Sequence, residues 1–149
     1  MKVKIALGFI LVFALLQLFT GERVPYEKPT ENDFILIEKP DQQVELLLKS
    51  VCYDCHSNQV NYPLYSSIAP FSWIVNDHIE DGRKHFNLST WGNYNKGKKE
   101  HKAEEAWEEV AEGEMPLESY AFIHRDANLN DAQVKLLVNY FKGIQQQYK

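Results

Sequence analysis

The sequence predicts an all-α fold, a small helical bundle preceded by a separate N-terminal hydrophobic helix. Three observations carry this. Apolar side chains recur at the spacing of a helix face in several segments between residues 41 and 147. Three of those segments open on Asp, Ser or Asn and two close on Gly, which satisfy the unpaired amides and carbonyls of helix ends. No segment alternates apolar and polar residues toward a hairpin turn, and there is no internal repeat. At 149 residues, 44% hydrophobic and 25% charged, the chain has the size and composition of one globular domain, and intrinsic disorder is excluded.

The first element is the uncharged run Ile5 to Phe19, whose one polar side chain is Gln17 and which Lys2 and Lys4 precede. It reads as a signal peptide or signal anchor over residues 1–20, with the basic end held in the cytoplasm and the rest of the chain exported. Its exit, Gln17-Leu18-Phe19-Thr20-Gly21-Glu22, offers no Ala-x-Ala-like cleavage site, which favours an anchor. The run is short for a membrane crossing, which takes about 20 apolar residues. A buried core helix is the remaining alternative.

Residues 21–40 carry three prolines and no helical period, and read as an extended tether with Phe34 to Ile37 laid across the domain surface. The folded domain then spans residues 41–147. Asp41 caps a helix whose stripe Val44, Leu47, Leu48 and Val51 runs into Cys52. Ser66 or Ser67 caps a second helix, with Pro70 in its first turn and Gly82 at its end. Residues 87–102 form a loop bearing Lys96, Lys98, Lys99 and Lys102. A helix follows from about Lys102 to Glu112, with Ala103, Ala106, Trp107, Val110 and Ala111 inside. Glu104, Glu105, Glu108, Glu109 and Glu112 point to water, and Gly113 stops the helix. A short helical turn covers Leu117 to His124. Asn130 caps the last helix, paired with Gln133 as in a capping box, ahead of Val134, Leu137, Val138 and Phe141.

Both cysteines of the chain fall in Cys52-Tyr53-Asp54-Cys55-His56, a C-x-x-C-H sequence, the attachment signal for c-type haem. One helical turn sets two thiols side by side, each able to add to a vinyl group, and places the adjacent imidazole against the iron. Attachment requires export, which the N-terminal segment supplies independently. C-x-x-C also serves redox disulfides, structural zinc and plain disulfide staples. The first wants a βαβ setting. Zinc needs further ligands, and His78, His85, His101 and His124 show no paired spacing. Met115, the only internal methionine, stands in Gly113-Glu114-Met115-Pro116 and is the expected sixth ligand, with packing residue as its alternative. His78 and His124 are weaker candidates for the same position. The ring N–H of His56 left over from the iron is expected to reach a backbone carbonyl between residues 57 and 70. Among Tyr62, Tyr65, Trp73, Trp91, Trp107 and Tyr120, some pack on the porphyrin and the others belong to the core.

Several separated motifs add to this: Cys52 to Asn58, Tyr62-Pro63-Leu64-Tyr65, Ile68-Ala69-Pro70, Trp73, Asp81-Gly82, Asn87-Leu88-Ser89-Thr90-Trp91, and Gly113 to Tyr120. In that order they resemble the bacterial haem-binding domain family, small c-type cytochrome-like domains behind a hydrophobic segment. The resemblance runs from about residue 30 to 147 and implies one haem c on Cys52 and Cys55, with His56 and Met115 as axial ligands. Leu64 departs from the pattern, which expects an aromatic there. That change touches packing and leaves the ligands alone.

The expected function is single-electron transfer outside the cytoplasmic membrane, without catalysis, through a His/Met-ligated monohaem centre and an unnamed redox partner protein. A haem-based sensor with a displaceable sixth ligand is the alternative. A peroxidase would need an open iron and acid–base help from His78, His124, Arg83 or Arg125. The net charge of −5 argues against nucleic acid as a partner. The lysine cluster reads either as a steering patch for an acidic partner or as a solvated loop. Nothing in the sequence fixes an oligomeric state.

Overall fold

The computed structural model describes residues 1–149 as eight α-helices and four 3₁₀ turns, with no strand. Helix α1, Lys2–Leu16, continues as a 3₁₀ turn over Gln17–Phe19 and buries no residue, so it is not a core helix. The 18 residues Lys2–Phe19, with mean hydropathy 2.0, are long and apolar enough to cross a membrane by length and composition. The end of this segment is fastened to the domain. Gln17 Nε2 donates to the Ala69 carbonyl and Oε1 accepts from the Ala69 amide. The Trp73 indole donates to the Phe19 carbonyl. The chain then runs along the domain, where Arg23 donates to Ser66 and Ser67 and the Glu27 amide pairs with the Asn58 carbonyl.

The expected extended tether fails at its last third, because residues Phe34–Glu38 form helix α2. Asp33 caps it, accepting from the Ile35 amide, the Tyr53 hydroxyl and the Gln59 amide nitrogen at 3.0, 2.8 and 2.6 Å. Three donors hold this buried carboxylate, which would otherwise be costly to remove from water. Phe34 is fully buried, with its ring 5.0 Å from Trp91 and 6.0 Å from Phe141. This turn is core.

Helix α3, Gln42–Val51, starts as expected, with Asp41 accepting from the Val44 amide at 2.9 Å and Val44, Leu47 and Leu48 buried. A break at Cys52 separates it from α4, Tyr53–His56. Helix α5, Phe71–His85, departs from expectation at both ends. Ser66 turns away and donates to the Pro63 carbonyl within a 3₁₀ turn, leaving Pro70 as the N-cap. Gly82 does not end α5, because its carbonyl accepts from Phe86 and the helix runs on to His85. Gly82 lies instead where α5 crosses α4. A Cβ on it would sit 2.8 Å from the Cys55 carbonyl oxygen.

The expected loop from 87 holds a 3₁₀ stretch, Leu88–Asn93, and α6 begins six residues early, spanning Lys96–Glu112 with Asn95 accepting from the Lys98 amide. The lysines supply a first turn without any apolar period, which is why the pattern hid it. Gly113 ends α6 at φ +78°, as expected of a left-handed cap. Helices α7, Glu118–Ile123, and α8, Asp131–Gln147, follow, the latter with the full Asn130–Gln133 capping box. Helices α6 and α8 pack against each other, and Ala103, Val110, Leu137, Phe141 and Ile144 join α2 and α3 in one core. Trp91 is buried at its centre. Its indole donates to Glu38 at 2.5 Å, and Glu38 also accepts from Gln147 and Tyr148, clasping the two ends of the domain together.

Candidate functional site

A cavity of about 540 Å³ lies between α4, α5, α6 and the loop after Gly113. Cys52, Cys55 and His56 form one wall. His78, Asp81, Gly82 and His85 line it from α5, at the three- and four-residue spacing of a single helix face. Lys102, Glu105, Ala106, Glu109 and Val110 face it from α6, and Met115, Pro116, Leu117 and Tyr120 close the far side. The absence of a side chain at Gly82 lets α5 approach α4 closely enough to bring these walls together.

The imidazole of His56 is fixed by the Phe86 carbonyl, 2.9 Å from Nδ1. A carbonyl only accepts, so Nδ1 carries the hydrogen and Nε2 is left with its lone pair. Burial holds the His56 pKa below the ordinary imidazole value, keeping the ring neutral and able to act as a ligand. The expected carbonyl between 57 and 70 is not the partner. The 57–60 segment leaves α4 the other way, held by Ser57 and Asn58 to Tyr53 and Ser89, while the end of α5 delivers Phe86 to the ring.

Both thiols are free. Burial pushes Cys52 up to about 12 and Cys55 up to about 11, with the neighbouring Cys55 and Asp54 charges as the smaller causes. A redox-active C-x-x-C carries a thiol shifted the opposite way. No three His, Cys, Asp or Glu side chains converge as a metal-ion set, which leaves zinc without ligands.

The haem-binding domain family matches this chain over residues 11–143. The chain belongs to that family. No curated protein and no solved structure matches it. Haem is therefore the cofactor against which the cavity is to be measured, and the residues fit. The volume falls within the roughly 300–1,000 Å³ typical of cofactor pockets, and about half the lining residues are hydrophobic. Two cysteines, a histidine and a methionine are among the lining residues, side chains whose sulfur and nitrogen atoms are donors suited to haem iron.

The structure brings Cys52, Cys55, His56 and Met115 to this one cavity, with His78 beside them. His124 lies elsewhere, with Nε2 2.8 Å from the Tyr65 hydroxyl and its ring stacked on Tyr120. Arg83 donates to the Ser57 carbonyl. Of the six aromatic candidates only Tyr120 lines the cavity, its hydroxyl donating to Asp54 at 2.8 Å. Trp91 is core, while Tyr62, Tyr65, Trp73 and Trp107 are spent on Val24, His124, Phe19 and Gln145. Two glutamates expected in water, Glu105 and Glu109, line the cavity, and Lys102 joins them, 2.5 Å from Glu105. Lys98 rests over Tyr94, and Lys99 over Trp91 and Tyr148. Sequence reasoning missed His85, Phe86 and Phe141. The spacing of His78, Asp81, Gly82 and His85 was the available signal for the first of these.

Proposed function

We propose that the chain is a membrane-tethered, monohaem c-type domain that carries single electrons outside the cytoplasmic membrane. The observation that supports it most is the convergence of Cys52, Cys55, His56 and Met115 on one largely apolar cavity, with His56 already oriented by Phe86. In this reading Cys52 and Cys55 would hold the haem through thioether bonds, and His56 Nε2 and Met115 Sδ would ligate its iron. Bound there, haem supplies one-electron chemistry. The rest falls to the polypeptide. The Phe86 carbonyl holds the ring of His56 and makes it a better donor. Val51, Ala106, Val110, Leu117 and Phe141 exclude water, which together with thioether ligation raises the potential. With His56 and Met115 both assigned to the iron, this reading would leave no position for a substrate and is that of a carrier, not an enzyme. Its redox partner is a protein. The exposed apolar α1 behind Lys2 and Lys4 supports a cytoplasmic-membrane anchor with the domain on the periplasmic side.

Mass spectrometry of protein matured with the cytochrome assembly machinery tests attachment. A gain of one haem mass that resists acid extraction is expected, and an unmodified chain refutes the reading. Met115→Ala tests ligation: the near-infrared sulfur-to-iron band is expected to vanish and the potential to fall.

One observation favours a second reading as a small-ligand sensor. Met115, Pro116 and Val110 also line a second cavity of about 330 Å³, between α7, the start of α8 and the end of α6. The methionine loop is thus a partition with space behind it, into which the side chain has room to withdraw. Immediate carbon monoxide binding by the reduced protein selects this reading over electron transfer.

A further inference from the structure

Outside the N-terminal segment, the longest stretch of this chain without Asp, Glu, Lys, Arg or His is Ser57 to Asn76. In a chain that is 25% charged this is a marked exclusion. Apart from Val60 and Ala69, the stretch does not hide its apolar side chains in the core. Leu64 is 92% exposed, and Ile68, Phe71, Trp73 and Ile74 are each between 41% and 52% exposed. They run from the 3₁₀ turn Leu64–Ser67 through Ile68 into the first turns of α5, where the rings of Tyr65 and Phe71 meet edge to face at 6.5 Å. A contiguous exposed apolar surface of this kind marks an interaction site.

What covers it is indicated by the hydrophobic segment. Gln17 pairs through both side-chain atoms with the backbone of Ala69, and the Trp73 indole donates to the Phe19 carbonyl. The last turn of the membrane-crossing segment therefore ends against this same face. Arg23, six residues beyond Gln17, lies at its border over Tyr62, bonded to Ser66 and Ser67. An apolar surface with Trp and Tyr, a cation at its edge and its nearest carboxylate on α5, Asp77, one turn further along suits the boundary between lipid headgroups and acyl chains.

We infer that the face formed by Leu64, Ile68, Phe71, Trp73 and Ile74 lies in the outer surface of the bilayer, so that the domain rests on the membrane instead of swinging free on its anchor. The inference rests on the membrane-anchored reading above and adds the orientation of the domain. The cavity-lining residues of α5 begin at His78, seven residues past Phe71, or about 10 Å along the helix axis. The haem site is thereby held at a fixed height above the lipid.

The test uses the full-length holoprotein in phosphatidylcholine vesicles containing an acyl-chain diazirine lipid, photolysed and mapped by mass spectrometry. Adducts are expected within residues 64–74 as well as within 5–19. The double variant Leu64→Glu/Phe71→Glu lies outside the cavity, so its haem absorption should be unchanged. It should lose the 64–74 adducts at least fivefold and keep those at 5–19. Adducts confined to 5–19 in the parent overturn the inference while sparing the anchor. If that result comes with a dimer that the double variant dissociates, the face belongs to a second copy of the chain. Adducts nowhere overturn the anchored reading itself.

Discussion

Replacing Gly82 by Ala gives the sharpest test of how α4 and α5 build the cavity. In an open helix interior this substitution stabilises by about 0.8–1.0 kcal/mol, because alanine loses less backbone freedom on folding. Here the added Cβ would lie 2.8 Å from the Cys55 carbonyl oxygen and 3.2 Å from its carbon. Backbone cannot rotate aside as a side chain does, so the helices must separate. Overpacking of this sort costs about 1–3 kcal/mol, and a backbone obstacle puts it near the upper end. The net expectation is destabilisation by about 2 kcal/mol, a fall in Tm on the order of 4–8 °C or more for a domain this size. Gly143→Ala in α8 is the control, since its Cβ meets nothing within 4 Å. Thermal unfolding of the matured protein, followed by far-ultraviolet circular dichroism and haem absorption, should move the two variants in opposite directions. A Gly82→Ala protein as stable as Gly143→Ala would refute the close crossing, and with it the account of how Cys55 and His56 are placed.

Other outcomes follow from the same geometry. Phe34→Ala should cost about 3–5 kcal/mol in chemical denaturation, the usual loss for a buried aromatic, where a residue on an exposed tether would cost under about 0.5 kcal/mol. Tyr148 is pushed up to about 12, first by burial and then by its bond to Glu38. The folded state thus favours the neutral phenol, so this stability is present below pH 10 and is given up as pH rises from 10 toward 12. Tyr148→Phe should lower Tm at pH 8 by an amount equivalent to about 1 kcal/mol and flatten the decline above pH 10. Without its cofactor the chain should be poorly packed. A cleft of about 540 Å³ left unfilled deprives its lining of packing contacts and exposes its apolar residues to water, a large loss beside a domain stability of about 5–15 kcal/mol. Cys52→Ala/Cys55→Ala protein should therefore keep far-ultraviolet ellipticity but lose near-ultraviolet signal and bind a hydrophobic dye.

The parts legible in the sequence were those written in local chemistry. Asp41, Gly113 and the Asn130–Gln133 pair announce their helix ends because capping is settled within four residues. Cys52, Cys55 and His56 were legible for the same reason, as one helical turn. Helix α2 was not, although Asp33 before an apolar run is itself a cap signal. Five residues are too few to show a period, and what makes Phe34 core is Trp91, far along the chain. The start of α6 was hidden because Lys96 to His101 offers no apolar stripe to read. The partner of His56 stands thirty residues away, and a backbone carbonyl leaves no trace in residue type. The neutrality of 57–76 was visible as composition, but its meaning required knowing where Gln17 and Phe19 end.

The clasp on Glu38 has a bearing on the order of events as the chain is made. Trp91, Gln147 and Tyr148 all converge on it, so the domain is latched only once its final turn has emerged. If the chain is exported as proposed, residues 52–56 would reach the far side well before α6, Met115 and α8, leaving both thiols accessible on an open, half-delivered chain. Under the proposed covalent attachment, thioether formation would then have a natural window ahead of closure, with the walls laid around a group already in place.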